Sequence, residues 1–218
     1  YLKSLGYNVY AVVPDDGYLD KIKLCGVEIL AVSNNIRGSG KTNKFKYAFE
    51  LIKIFRSNHF DIIHTYKLQP NIIGTFIAGI FTKSKIINHI TGLGSAFNNN
   101  HSFKFKVIQL STIILYKLNN FLFQPFSVFQ NHYDSKDLRL YKKVFCVKGS
   151  SVNEDRFNCK NISLQKRQNI VKKFNIKNEK IITFLFTSRL LIDKGIVELI
   201  DGFKLASRKN NIQLLIVG

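Results

Sequence analysis

Short apolar runs alternate with amphipathic stretches along nearly the whole chain. After Gly6, placed to end a helical turn, a run up to Pro14 reads as a strand. Further strands are expected at Glu28–Val32, Asp61–Thr65, Lys85–Thr91, Ser127–Asn131, Val144–Val147, Ile181–Thr187 and Ile212–Val217. Between them the apolar spacing switches to a helical period. Asn43–Asn58 places Phe45, Phe49, Ile52 and Phe55 on one face, with Lys44, Lys46, Lys53 and Arg56 elsewhere. Asn71–Phe81 is a small apolar helix, and His101–Phe123 carries Phe103, Val107, Leu110, Ile114 and Leu118 at helical spacing. Asn131 and Asp134 are placed to cap a helix over Asp134–Tyr141, and Gln165–Phe174 is a further helix. Ile196–Ser207 brings Ile196, Leu199, Ile200 and Phe203 together. Strand and helix in alternation predict an α/β chain with parallel sheets.

Composition narrows the classes. A chain of 218 residues can bury a sizeable core, and 45% hydrophobic with 22% charged residues excludes intrinsic disorder. Lys and Arg total 33 against 14 Asp and Glu, a net charge of +19 that favours anionic partners: nucleic acid, anionic lipid or phosphorylated substrates. Enrichment in Lys, Asn, Ile and Phe also fits an AT-rich genome, which discounts that charge. Cys25, Cys146 and Cys159 form no CxxC pair, which suits free thiols in a reducing compartment. The histidines show no metal-ligand spacing with them, and no signal peptide or run of spanning length is seen.

Candidate chemistry concentrates in three loops at strand ends. Ser188–Gly195 puts Arg189 and Lys194 between a strand and a helix, with Gly195 at the turn. Ligands of open α/β sheets bind at the carboxyl ends of strands, Arg forks onto phosphate oxygens, and a helix start presents free N–H groups. Two solvated surface cations are the plainer reading. His64 and Lys67 sit at the carboxyl end of the strand at Asp61–Thr65. Gly92 and Gly94, within Thr91–Phe97, would let backbone approach a ligand or simply make a tight loop. Asp15 and Asp16 are expected to cap a helix rather than do acid–base work. Asn34–Thr42, with Arg37 and Lys41, reads as a plain loop without a P-loop pattern. Lys104, Lys106 and Lys117 flank the apolar stripe of His101–Phe123, so this segment is either a core helix or one lying on an anionic membrane surface.

The stretch Phe186–Phe203 followed by Leu214–Gly218 resembles the opening of the C-terminal domain of retaining GT-B glycosyltransferases, glycosyltransferase family four. In that family the Arg and Lys of a "GRL…KG" element grip the diphosphate of a nucleotide sugar. Arg189 and Lys194 match those positions, and Ser188 stands where Gly is frequent. The ordered set His64–Pro70, Thr91–Phe97 and Phe129–Asp134 resembles a bacterial polysaccharide subgroup acting on undecaprenyl-diphosphate-linked sugars. Many family members carry a His–Gly pair after the strand where Thr91-Gly92 stands, so no catalytic His is carried to that position. Lys148–Phe157 resembles the interdomain "GSGVD…F" connection, with Ser151 and Asn153 replacing its second Gly and its Asp.

The resemblance implies two Rossmann-like domains of GT-B type. Residues 1–160 would be an acceptor-side domain lacking its first βα unit. Residues 161–218 would be the start of a nucleotide-sugar-binding domain, whose Glu-x7-Glu element lies outside the chain. It further implies transfer of a hexose or N-acetylhexosamine from a UDP-sugar to a lipid-linked glycan, with retention and without metal or cofactor. Arg189 and Lys194 would serve catalysis, and Gly92, Gly94, His64 and Lys67 would bind substrate. The expected partners are a nucleotide sugar, a lipid-linked acceptor and an anionic membrane surface. The expected location is the cytoplasm, peripheral on the inner face of the cytoplasmic membrane. The alternatives are a basic nucleic-acid-binding α/β protein, against which stands the lack of any recognisable nucleic-acid module, and an inactive glycosyltransferase fragment.

Overall fold

The structure, a computed structural model, describes residues 1–14, 17–32, 44–94, 97, 102–149, 152–176 and 181–218. The chain divides into two compact units, Tyr1–Ser150 and Ser151–Gly218. The sequence places its domain boundary after residue 160.

The first unit runs β1 (Tyr10–Val13), α1 (Leu19–Leu24), β2 (Glu28–Ala31), α2 (Lys44–Ser57), β3 (Ile62–Tyr66), α3 (Leu68–Phe81), β4 (Lys85–Ile90), α4 (Phe103–Phe123), β5 (Phe126–Phe129), α5 (His132–Asp137) and β6 (Val144–Cys146). β1 and β2 form one parallel pair, and β3-β4-β5-β6 form a parallel sheet in that order. The second unit holds α6 (Leu164–Lys173), β7 (Ile182–Thr187), α7 (Ile196–Ser207) and β8 (Ile212–Val217), with β7 and β8 parallel. The parallel α/β expectation holds in both units.

Strand alternation decides which face of the four-stranded sheet is buried. Ile63 and Thr65 of β3, Ile86, Asn88 and Ile90 of β4, and Ser127 and Phe129 of β5 point to one face and are all buried. Two apolar clusters form there. One joins Ile63 and Ile86 to Tyr47, Leu51 and Phe55 of α2 and to Ile77 and Ala78 of α3. The other joins Ile90 and Phe129 to Tyr116 of α4 and to Leu138 and Leu140 beyond α5. Gly79 of α3 lets the Phe123 ring of α4 lie against the helix backbone, because a Cβ there would overlap the ring.

The helix faces differ from the sequence reading. On α2 the buried stripe is Tyr47, Leu51 and Phe55, whereas Phe45 and Phe49 are 82% and 66% exposed. Both stripes have helical spacing, and the sheet contact, not side-chain hydrophobicity, selects between them. On α4 the buried residues are Thr112, Tyr116 and Asn119. The apolar stripe Phe103, Val107, Leu110, Ile114 and Leu118 lies on the exposed side. α3 starts three residues before the expected Asn71, since Pro70 sits in its first turn, where a missing N–H costs no helical bond. α5 is shorter than expected, and Asn131 alone is its cap, its side chain accepting from the Asp134 N–H at 2.9 Å. Asp15, Asp16 and residues 34–42 lie outside the described residues; α1 begins after Tyr18 without a side-chain cap.

Candidate functional site

In the second unit the loop after β7 is shaped by backbone contacts. β7 and β8 run in register from Ile182 opposite Ile212 to Thr187 opposite Val217, so their carboxyl ends share one edge. The Ser188 N–H donates to the Val217 carbonyl at 3.1 Å, and the Leu191 N–H donates to the Arg189 carbonyl at 2.8 Å. Gly218 permits this approach, because a Cβ there would overlap the Ser188 carbonyl and the Leu190 side chain. Ile192–Lys194 makes one 3-10 turn, and Gly195 takes φ 75° and ψ 23°, a left-handed geometry that reverses the chain into α7. Arg189 and Lys194 are both exposed, on the loop that carries the chain from the end of β7 to the start of α7. An exposed Arg and Lys on such a loop can bind a phosphorylated group by fork and point charge.

In the first unit, Lys67, Gly92 and Gly94 lie just beyond the carboxyl ends of the adjacent strands β3 and β4, whereas His64, expected at the end of its strand, falls in the middle of β3 because that strand continues to Tyr66. His64 and Tyr66 project to the same face of β3, and the register sets Tyr66 opposite His89. The three rings stack, with centroids 4.3 Å apart for His64 and Tyr66, 5.0 Å for Tyr66 and His89, and 5.6 Å for His64 and His89. Tyr66 Oη lies 3.3 Å from His64 Nδ1. Burial, helped by repulsion from the neighbouring His89, lowers the His64 pKa and so favours its neutral imidazole. Tyr66 and His89 were not singled out from the sequence, because their meeting depends on a register between strands more than twenty residues apart.

A buried polar layer holds these strand ends. Thr65 Oγ1 and Thr75 Oγ1 both donate to Asn88 Oδ1, at 2.9 and 2.7 Å. The His89 carbonyl accepts from the Lys67 N–H at 3.2 Å and from Asn71 Nδ2 at 3.1 Å. Lys67 itself has φ 73° and ψ 163°, a region essentially reserved for glycine. Its carbonyl accepts from the Asn71 N–H at 3.0 Å, which holds the strained turn in place. Lys67→Gly is therefore expected to stabilise the first unit by about 1 kcal/mol in chemical denaturation, strain of ~1–3 kcal/mol being partly offset by the looser unfolded chain. A loss of stability would mean that the turn is not strained.

Gly92 and Gly94 have φ 141° and 75°, and they flank Leu93, which is buried in the core. A Cβ at either glycine would meet nothing within 4 Å, so positive φ, not close packing, is what calls for glycine here. Ser95 and Ala96 lie outside the described residues. Among the described residues no group of three or more His, Cys, Asp or Glu side chains could hold a metal ion.

Comparison with known proteins gives these strand ends a context. A curated relative from Campylobacter jejuni, N,N'-diacetylbacillosaminyl-diphospho-undecaprenol alpha-1,3-N-acetylgalactosaminyltransferase, is 24% identical over 218 aligned positions, which cover 98% of this chain and 57% of the relative. The chain thus spans less than two thirds of that relative's length. A glycosyltransferase structure from Rickettsia africae superposes with a TM-score of 0.64 at 16% identity, covering 100% of this chain and 62% of its own. The calicheamicin glycosyltransferase superposes with a TM-score of 0.53 at 11% identity, covering 100% of this chain and 60% of its own. The parallel α/β fold is of the GT-B type found among these glycosyltransferases. The family model for glycosyl transferase 4-like proteins matches residues 1–125, more than half of the chain, and the chain belongs to that family.

Proposed function

We propose that this chain forms part of a glycosyltransferase that moves a hexose or N-acetylhexosamine from a UDP-sugar to an undecaprenyl-diphosphate-linked glycan, with retention of configuration. The observation that carries this reading is the match along 98% of the chain to a relative named for transfer onto such an acceptor. Arg189 and Lys194, exposed on the loop after β7, supply the cationic chemistry that a departing nucleoside diphosphate requires. In the reaction the bond from the sugar C1 to the diphosphate oxygen breaks. The acceptor oxygen bonds to C1 on the same face, and its proton passes to the leaving diphosphate. The cations of Arg189 and Lys194 would stabilise the charge that develops on that oxygen. Residues 1–150 would then serve the acceptor. There Lys67 would offer a cation and neutral His64 a hydrogen bond to substrate, while the Gly92–Gly94 loop shapes the surface beside them.

The test is transfer by the complete protein from UDP-N-acetylgalactosamine, UDP-N-acetylglucosamine, UDP-galactose and UDP-glucose to an undecaprenyl-diphosphate-linked saccharide. A product lengthened by one sugar, with the anomeric configuration of the donor, is expected. A complete protein that binds no uridine diphosphate would overturn the reading.

We also propose that α4 rests on the membrane carrying that acceptor, on the cytoplasmic side. No helix among the described residues is long and apolar enough to cross a membrane. What supports contact is the apolar stripe of α4, its five residues 42–81% exposed and flanked by exposed Lys104, Lys106 and Lys117. Beside it, α2, α3 and α4 frame a wholly apolar groove lined by Ile52, Ile73, Phe76, Ile80, Leu115 and Leu118. Binding to phosphatidylglycerol vesicles but not to phosphatidylcholine vesicles is expected in co-sedimentation. Glu at all three lysines should weaken it by at least ~100-fold, at ~1 kcal/mol per cation removed. Equal binding of the triple variant would refute the orientation.

A further inference from the structure

Asn71 lies in the first turn of α3 and is 0% exposed, although Asn is a poor helix former and a mostly exposed residue type. Its backbone N–H donates to the Lys67 carbonyl at 3.0 Å, and its side-chain Nδ2 donates to the His89 carbonyl at 3.1 Å. A carbonyl can only accept, so the nitrogen of the Asn71 amide is the atom that faces it. The same carbonyl accepts from the Lys67 N–H at 3.2 Å. One residue thus joins the exit of β3, at Lys67, to the exit of β4, three residues before Gly92.

The height of Asn71 over the sheet is fixed from the next turn of α3. There Thr75 Oγ1 donates to Asn88 Oδ1 at 2.7 Å, and Thr65 Oγ1 donates to the same atom at 2.9 Å. Thr65 and Asn88 stand opposite each other in the register of β3 and β4. Gly74 lets the helix lie close on β3, because a Cβ there would come within 3.1 Å of Thr65 Cγ2. α3 cannot slide along the sheet without breaking buried hydrogen bonds, so Asn71 stays level with the His89 carbonyl.

The strain at Lys67 says what this arrangement holds. Ile63 and Thr65 point to the buried face, and by alternation residue 67 would follow them under α3. Its φ of 73° turns the side chain out instead. Lys67 is exposed, and among the described residues no carboxylate pairs with it. Glycine would adopt this backbone at no steric cost but would present no cation. Of the three hydrogen bonds that fix the turn against β4, Asn71 donates two.

We infer that Asn71 is a positioning residue: it holds the Lys67 ammonium in place for the diphosphate of the lipid-linked acceptor, and it acts on that substrate only through Lys67. The identity of the acceptor rests on the proposed reaction. The donor's diphosphate is assigned to Arg189 and Lys194, so its binding is independent of Asn71.

The test titrates the complete protein with geranyl diphosphate, a soluble isoprenoid diphosphate, and with uridine diphosphate. Asn71→Ala, Lys67→Gly and the double variant are compared with the unaltered protein, beside urea denaturation of each. Asn71→Ala is expected to weaken geranyl diphosphate at least ~10-fold, since misplacing a binding group by ~1 Å costs up to ~100-fold. Uridine diphosphate should hold within ~2-fold, as for an independent site. Lys67→Gly should weaken geranyl diphosphate as much, and adding Asn71→Ala to it should change the affinity by less than ~2-fold, because the two residues act as one. A merely structural Asn71 would lower the folded fraction in both backgrounds and leave the affinity of the folded protein unmoved. Should Asn71→Ala not fold, Asn71→Ser, which keeps a small hydrogen-bonding side chain, gives the same comparison. Equal affinity in the Asn71 variant, losses that add in the double variant, or no binding of geranyl diphosphate to the unaltered protein would each overturn the inference. Sugar transfer measured in parallel separates the two claims. Transfer with affinities that Asn71 does not move refutes the positioning role alone, and coupled losses of affinity in a protein that transfers no sugar refute the reaction alone.

Discussion

Alanine at both Arg189 and Lys194 in the complete protein is expected to abolish measurable uridine-diphosphate binding and to slow sugar transfer by at least ~10³-fold. One well-placed donor to a developing oxyanion is worth roughly 10²–10³ in rate, and neighbours serving one group do not add independently, so the larger single value is taken as the floor. The fold should survive the change. Both side chains are exposed, and the loop is held by its own backbone through the Ser188, Leu191 and Gly195 N–H groups. Surface truncation of this kind shifts stability within about 0.5 kcal/mol. Arg189→Lys separates charge from shape, since it keeps the cation and loses the fork, and an intermediate loss is expected. Titration with uridine diphosphate by calorimetry, beside a thermal melt, reads both properties. Unchanged binding in the double variant would end the assignment of this loop to a diphosphate.

Phe129→Ala should cost the first unit about 3–5 kcal/mol, the range for a fully buried aromatic truncated to a methyl group. Phe129 is 0% exposed on β5, an interior strand of the four-stranded sheet. It sits in a cluster with Ile90, Leu93, Tyr116, Leu138 and Leu140, drawn from four separate segments, so local collapse cannot refill the space. Against a typical total of ~5–15 kcal/mol the loss threatens the whole unit. Urea denaturation should show a midpoint lowered by more than ~1 M. A change below about 1 kcal/mol would mean that β5 is not the packed centre of the sheet.

The alternation of strand and helix was legible because β-branched runs and helical spacing are local properties. α7 and β8 fall at Ile196–Ser207 and Ile212–Val217, as read from the residues. What escaped depends on contacts between distant segments. Phe45 and Phe49 carry more apolar surface than Tyr47, yet Tyr47 meets the sheet. Asn71, Thr75, Asn88 and Ser127 are polar types that are mostly exposed in proteins, but neighbouring strands and helices bury them. Lys67 gives no hint of its left-handed backbone, because that conformation is imposed by the His89 carbonyl on one side and Asn71 on the other. Of the candidate residues, Lys67, Gly92, Gly94, Arg189 and Lys194 could be placed beside strand ends from the sequence, while His64 lies within β3. The ring stack with Tyr66 and His89 could not be foreseen.

All strand pairs among the described residues are parallel, and this bears on how the chain is made. No hairpin can form between partners, so each pairing must wait for a crossover to be synthesised. β5 meets β4 only after α4 has left the ribosome with its apolar side uncovered. Folding that depends on such distant pairings is slow, and exposed strand edges and apolar stripes invite association meanwhile. Overproduction should therefore yield insoluble protein at high synthesis rates. Slower translation or a colder culture should favour the soluble form, by giving each crossover time to dock before the next one emerges.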